Sequence, residues 1–363
     1  MQIDKNTSKK IDELVVSFRE DIQSVLKKKV TSDKALKALT ASSKEKLSKL
    51  YELTLAKPLG EVISKSKNLI VSTDGALKLI PFEAMFNKKT DKYLMESKNI
   101  RYIPSGKELV RLYRYGKKRE SKKESVIFAN PKFSAVNIPS LNRDIEIVPL
   151  TPNTNEAGAM RTLFSMRFAE LKGTKGEAIK IESLLNKQNE TKVLSFTEKR
   201  ANEVNFMKVK QPKILHLATH GFFLNDKNIV NPMLKSGIAL SGANISLIDN
   251  KTNGIVTALK LSGLDLKGTD LVVLSACKTG VVEIDSTDSV SGLGKAFIQA
   301  GAKDVVMSLW SVNDGATKIL MKFFYKNIVN SDTKNYAKAL REAKLKMIDD
   351  HPFYWAGFVV NGL

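Results

Sequence analysis

Two short apolar runs, each delivering a reactive residue at its carboxyl end, constrain this chain more than any other feature. The first is Ile214-Leu215-His216-Leu217-Ala218-Thr219-His220-Gly221 and the second is Leu271-Val272-Val273-Leu274-Ser275-Ala276-Cys277, which continues into Lys278-Thr279-Gly280. Branched apolar residues that give way to small or polar residues predict buried strands leaving a sheet. In open α/β sheets, ligands and chemistry gather outside the carboxyl ends of such strands. That edge would hold the imidazole of His220 and Cys277, the one cysteine in the chain. A single Cys with a His supplied from elsewhere in the sequence is the starting pattern for a nucleophile.

Around these runs, strands and helices alternate to the end of the chain, which predicts α/β construction. Strands are expected at 68–72, 77–80, 100–103, 126–129, 168–172, 192–195, 304–309 and 358–361. Helices are expected at 107–115, 155–165, 175–186, 291–301, 314–328 and 335–349. The Asp74-Gly75 pair predicts a hairpin between the first two strands. The proline-bearing stretch 130–154 reads as an irregular surface loop. The first 56 residues differ. Ile11, Leu14, Val15, Phe18, Ile22, Val25 and Leu26 recur at helical spacing, and a second helical region covers 33–56, with a break expected where Ser42-Ser43-Lys44-Glu45 resembles a capping box. Two amphipathic helices cannot form a core alone, so this segment is expected to dock on the main body or on a partner.

At 363 residues with 42% hydrophobic content, the chain can bury a substantial core. A single cysteine excludes an internal disulfide and points to a reducing compartment, and the cytoplasm is the expected location. The start Met1-Gln2-Ile3-Asp4-Lys5 does not read as a signal peptide, and the apolar runs fall far short of the roughly 20 residues that cross a bilayer. The three histidines show no nearby carboxylate at metal-ligand spacing, so no metal is expected, and the thiol chemistry considered below calls for no cofactor. A formal charge of +21 could serve an acidic partner. The basic clusters are short and lack interleaved aromatics, however, so direct nucleic-acid binding is not expected. Gly292-Leu293-Gly294-Lys295 fails the spacing of a phosphate loop.

An unperturbed thiol is only a few per cent thiolate at neutral pH, and a neighbouring imidazole raises its reactivity by taking the proton. His220 is the candidate for that role, and it could then protonate a leaving amine. The amides of Gly221 and Cys277 could serve a tetrahedral oxyanion. Against this stands the bland reading of Cys277 as a small buried hydrophobe. His216, inside its strand, reads as a hydrogen-bonded core histidine, and His351 as a loop packing residue.

Read together, the segments 216–223 and 274–280 resemble the two signatures of the CHAT domain, a caspase-like cysteine peptidase domain related to separase. Asp74-Gly75-Ala76-Leu77-Lys78-Leu79-Ile80-Pro81-Phe82-Glu83-Ala84, Ala300-Gly301-Ala302-Lys303, Ser308-Leu309-Trp310-Ser311-Val312 and Pro352-Phe353-Tyr354-Trp355-Ala356-Gly357-Phe358 resemble its flanking motifs. Two departures stand out. Lys278 occupies a position where an acidic residue or Gln is common, and Gly357 replaces a frequent Pro.

The resemblance implies a caspase-like, mostly parallel sheet flanked by helices over 57–363, with residues 1–56 as a helical appendage. It implies a His220–Cys277 dyad, with the Gly221 and Cys277 amides as an oxyanion hole and no third acid. Some relatives cut after basic residues, and Asp285 and Asp288 could supply the carboxylate for that. The expected activity is that of a cysteine endopeptidase acting on a protein or peptide. The long polar segments 224–255 and 278–291 suggest a latent enzyme, switched by a regulatory protein at the N-terminal helices, and the setting suggested is bacterial defence or cell death. The alternative is a catalytically silent interaction module of the same fold.

Overall fold

The computed structural model describes residues 4–27, 29–30, 32–115, 124–136, 166–187, 192–224, 229, 231–248, 254–275, 287–331 and 335–362. Among them an eight-stranded sheet forms the spine. In chain order its strands are β1 (Asn68–Val71), β4 (Asn99–Tyr102), β5 (Ser125–Pro131), β6 (Val193–Glu198), β7 (Ile214–Ala218), β11 (Leu271–Leu274), β12 (Asp304–Ser308) and β13 (Phe358–Gly362). They lie in the order β1-β4-β13-β12-β11-β7-β5-β6. Every neighbouring pair is parallel except β12 and β13. Every residue of β7, β11 and β12 is buried. Such strands, covered on both faces, read in sequence as near-continuous apolar runs. Two smaller sheets complete the set: β2 (Phe86–Asn87) with β3 (Lys92–Tyr93), and β8 (Gly221–Phe223), β9 (Ser236–Ala239) and β10 (Ile255–Thr257) in the antiparallel order β10-β9-β8.

Among the described residues the helices, in chain order, are α1 (Lys5–Leu26), α2 (Asp33–Tyr51), α3 (Lys57–Lys65), α4 (Gly106–Tyr115), α5 (Lys172–Leu185), α6 (Glu203–Met207), α7 (Ala243–Ile248), α8 (Ala258–Ser262), α9 (Thr287–Ala300), α10 (Asp314–Val329), α11 (Tyr336–Leu345) and α12 (Pro352–Trp355). The expected break near Ser42 does not occur. α2 runs unbroken and passes through a π-helical turn, Glu52–Ala56, into α3. Ser43 has a different use: its buried hydroxyl donates to Asp21 Oδ2 on α1 at 2.9 Å, tying the two helices together.

The Asp74-Gly75 pair does not make a hairpin either. Gly75 takes a φ of +55° and the Asp74 carboxylate accepts its N–H, which starts the 3-10 turn Gly75–Leu79. β1 pairs instead in parallel with β4. The expected strand at 168–172 does not form: residues 168–171 have no regular structure, and α5 begins at Lys172. The expected helix at 155–165 lies outside the described residues.

The N-terminal helices share the main core. Ile11, Val15, Phe18 and Ile22 of α1 are at most 3% exposed and belong to the same apolar cluster as the central strands. Phe18 meets the edge of Trp310 at 6.1 Å between ring centres. Arg19, also buried, donates to the Leu309 carbonyl at 2.9 Å and lies over the Trp310 ring. Burial lowers the guanidinium pKa to about 10. Lys46 on α2 pairs with Asp21 at 2.7 Å. Trp310 in turn packs against Gly357, where a Cβ would lie 2.9 Å from the indole nitrogen. That close approach accounts for glycine at this position.

Candidate active site

β7 and β11 are neighbours in parallel register, with Leu217 opposite Leu274. The Ser275 N–H donates to the Leu217 carbonyl at 3.0 Å, carrying the pairing one residue past β11. The two chains therefore leave the sheet side by side at one edge, separated by about 5 Å, the spacing of paired strands. Thr219 and His220 follow at the end of β7. Cys277 follows two residues after Ser275 and, with Asp285, lies outside the described residues. Asp288 falls on the first turn of α9, where only the backbone is described.

His220 is 2% exposed. Its carbonyl accepts from the Ala239 N–H at 2.8 Å, and the Thr219 hydroxyl donates to the Ala239 carbonyl, so the end of β7 is pinned to β9. The ring packs beside two aromatics that also touch each other, with Phe133 centred 5.0 Å away and Phe168 5.7 Å away, at tilts of 34° and 32°. Its Nε2 is 2.7 Å from the Ala169 carbonyl oxygen. A carbonyl can only accept, so Nε2 carries the proton, and in the neutral ring the basic lone pair sits on Nδ1. Ala169 was not foreseen from the sequence, because it acts through its backbone and its side chain carries no signal for that role.

Gly221 opens β8 opposite Ile238 of β9. The flanking bonds, Ala239 N–H to His220 and Leu224 N–H to Lys235, make this a non-hydrogen-bonded pair. The Gly221 N–H is therefore directed away from β9 and is not spent on the ladder. Phe222 follows it into a second apolar cluster with Phe133, Phe168, Leu171, Leu224 and Ile255. This cluster forms the wall behind the imidazole.

The other two histidines have separate duties. His216, wholly buried on β7, has its Nδ1 2.9 Å from the Tyr325 hydroxyl and its Nε2 3.2 Å from Glu177 Oε1 on α5, in keeping with the core role read from its position. Burial and the Glu177 charge hold the Tyr325 phenol well above its ordinary range. His351 caps α12, its Nδ1 accepting from the Phe353 N–H at 3.0 Å. Its Nε2 lies 3.3 Å from Ser43 Oγ on α2. Among the described residues no group of three or more metal-ligating side chains gathers, and no helix is long and apolar enough to cross a membrane.

Comparison with known proteins adds the following. A family model, the CHAT domain, matches residues 44–362. Human tetratricopeptide repeat protein 28 is 24% identical over 356 aligned residues, covering 88% of this chain; the chain spans only 13% of that relative's length. Among solved structures, the complex of Porphyromonas gingivalis RgpB pro- and mature domains overlaps 99% of this chain and 77% of its own at 10% identity, with a TM-score of 0.46. The Saccharomyces cerevisiae separase–securin complex overlaps 97% of this chain and 22% of its own at 12% identity, with a TM-score of 0.42.

Proposed function

The chain belongs to the CHAT domain family, and from that premise we propose that it is a cysteine endopeptidase. The observation that carries the reading is the register of β7 and β11, whose carboxyl ends lie side by side at one edge; in the sequence His220 comes two residues after the first strand and Cys277 three residues after the second. The Ala169 carbonyl supports it by leaving Nδ1 as the basic nitrogen of His220. In the proposed reaction, Nδ1 takes the Cys277 thiol proton and the sulfur attacks the peptide carbonyl carbon. The C–N bond then breaks as the imidazolium returns the proton to the departing amine. Water adds to the thioester with His220 again as base, releasing the acid and the thiol. The Gly221 N–H, unused by its ladder, and the Cys277 N–H would receive the oxyanion, each worth about a hundredfold or more in rate.

Asp285 and Asp288 are the proposed source of a preference for basic residues before the cut bond. Residues 1–56 are the proposed regulatory segment. In support of that, α1 contacts Leu309 and Trp310, which leave the sheet directly after β12, the neighbour of β11. A partner that displaced α1 would act on that same edge, and a latent state released by such a partner is the regulation proposed. Bacterial defence or cell death is the setting proposed.

The deciding experiment pairs an activity-based thiol probe with cleavage of candidate protein substrates. Labelling at Cys277 that disappears in His220→Ala, with cleavage lost in both Cys277→Ala and His220→Ala, is the expected result. Unchanged cleavage by either variant removes that residue from the mechanism. A folded wild-type chain that neither labels nor cleaves would favour the silent interaction module.

A further inference from the structure

The segment that presents the Ala169 carbonyl to His220 has no sheet or helix to hold it: residues 166–171 form no regular structure and have no ladder partner. An unladdered carbonyl can swing through a wide arc unless side chains fix the peptides around it. The same segment is nevertheless anchored on both sides. On one side stands Asn244, 8% exposed at the start of α7. Its Oδ1 accepts from the Phe168 N–H at 2.9 Å, and its Nδ2 donates to the Phe168 carbonyl at 3.0 Å and to Ser134 Oγ at 3.0 Å. Its own N–H donates to the Phe133 carbonyl at 2.9 Å. A primary amide thus takes both polar groups of one backbone residue, replacing the missing strand.

On the other side, the Leu171 carbonyl accepts from the Thr174 N–H at 3.2 Å and its hydroxyl at 2.8 Å, while that hydroxyl accepts from the Asn130 N–H at 3.1 Å. Only Ala169 and Glu170 lie between the anchors, and Glu170 is itself tied to Lys132 at 2.9 Å. The aromatic rings beside the imidazole belong to Phe133 and Phe168; Asn244 holds the Phe168 backbone through its side chain and the Phe133 carbonyl through its own N–H. The donor and acceptor of the Asn244 side-chain amide therefore bear on the carbonyl that receives Nε2–H and on the Phe168 ring beside the imidazole, while Phe133 is held through the Asn244 backbone.

We propose that Asn244 is a positioning residue for His220: by clamping the Phe168 backbone it directs the Ala169 carbonyl at Nε2 and keeps the basic lone pair on Nδ1. The effect on turnover rests on the peptidase reading above, whereas the effect on the ring does not. Asn is the residue the task requires. Asp cannot donate to the Phe168 carbonyl, and an apolar residue would leave both buried Phe168 groups unpaired.

The test uses the full chain carrying Cys277→Ala, labelled with ¹⁵N-histidine, so that the ring nitrogens of the three histidines are read without turnover. In this parent, His220 should show one protonated nitrogen, Nε2, and one bare nitrogen, Nδ1. With Asn244→Ala added, the His220 signals should move toward the average of the two tautomers while those of His216 and His351, held by separate partners, stay in place. With Cys277 restored, Asn244→Ala should lower kcat by about tenfold to a hundredfold, the scale of a small misplacement of a catalytic group, and leave KM within about twofold. Unmoved His220 signals in a chain whose other two histidines are also unmoved would overturn the proposal. Should Asn244→Ala fail to fold, Asn244→Asp, which keeps only the acceptor, is read by the same criterion. Movement of the ring without cleavage by any variant would refute the peptidase reading and leave the clamp standing; cleavage with an unmoved ring would do the reverse.

Discussion

Lowering the pH from 7 to 5 should reduce the stability of the folded chain through one side chain at the seat of the N-terminal helices, His351. Its Nδ1 accepts from the Phe353 N–H, so the neutral ring carries its proton on Nε2 and donates to Ser43 Oγ, whose hydroxyl donates to Asp21. A second ring proton would have to displace the Phe353 N–H from Nδ1. Burial, only partly offset by the Asp21 charge, accordingly lowers the His351 pKa to about 4. The unfolded chain holds this group near 6.5. Between those values the unfolded state binds the extra proton, so stability is complete above pH 6.5 and is lost as pH falls toward 4. From pH 7 to pH 5 the two titration curves give a loss of about 2 kcal/mol. The assay is urea unfolding followed by fluorescence of the buried Trp310 and Trp355, with wild type compared to His351→Asn. Asn retains a side-chain oxygen for the α12 cap but does not titrate. Other carboxylates titrate in both proteins, so the difference between the two pH-induced losses isolates His351. A variant that loses as much stability as the wild type would refute the reasoning.

Three further outcomes follow from packing. Lys344→Met should cost about 3–5 kcal/mol in urea unfolding, because it leaves the buried Glu83 carboxylate without the ammonium 3.2 Å away, and adding Glu83→Gln should recover part of the loss. Phe18→Ala, which empties a site that is 0% exposed against Trp310, should cost about 3–5 kcal/mol by the same measurement. Gly357→Ala should destabilise by about 1–3 kcal/mol and shift Trp310 fluorescence, since the new methyl would meet the indole. A neutral result for any of these would mean that the neighbouring chain yields more easily than its burial implies.

The central strands were legible because burial on both faces writes itself into the sequence as a run. β7, β11 and β12 need no partner information to be found. Elements that depend on a single contact were not legible. Asp74-Gly75 carries the composition of a hairpin, but the strand that pairs with β1 is β4, whose Asn99 lies opposite Asn68. Ser42-Ser43-Lys44-Glu45 carries the form of a cap, yet the Ser43 hydroxyl is drawn to Asp21 and His351 and the helix continues. The strand β9 was hidden inside the expected loop 224–255, and β10 starts at that loop's last residue. Gly237 looks like a turn signal there, but its missing Cβ makes room for the Phe222 ring, since a Cβ would come within 2.6 Å of Phe222 Cζ.

The candidate site divides along the same line. His220 stood out because imidazole at the carboxyl end of a buried run is chemically conspicuous. What disposes that imidazole is a backbone carbonyl on an alanine, fixed in turn by an amide 76 residues from the peptide it holds. Neither group has a local pattern to betray it, because a backbone acceptor looks the same on every residue and an Asn in a loop ordinarily serves a turn. A candidate base can therefore be read from its residue type, whereas its tautomer is a property of the fold. Substitutions that spare His220 but disturb the Phe168 backbone should reach the chemistry through the proton on Nε2.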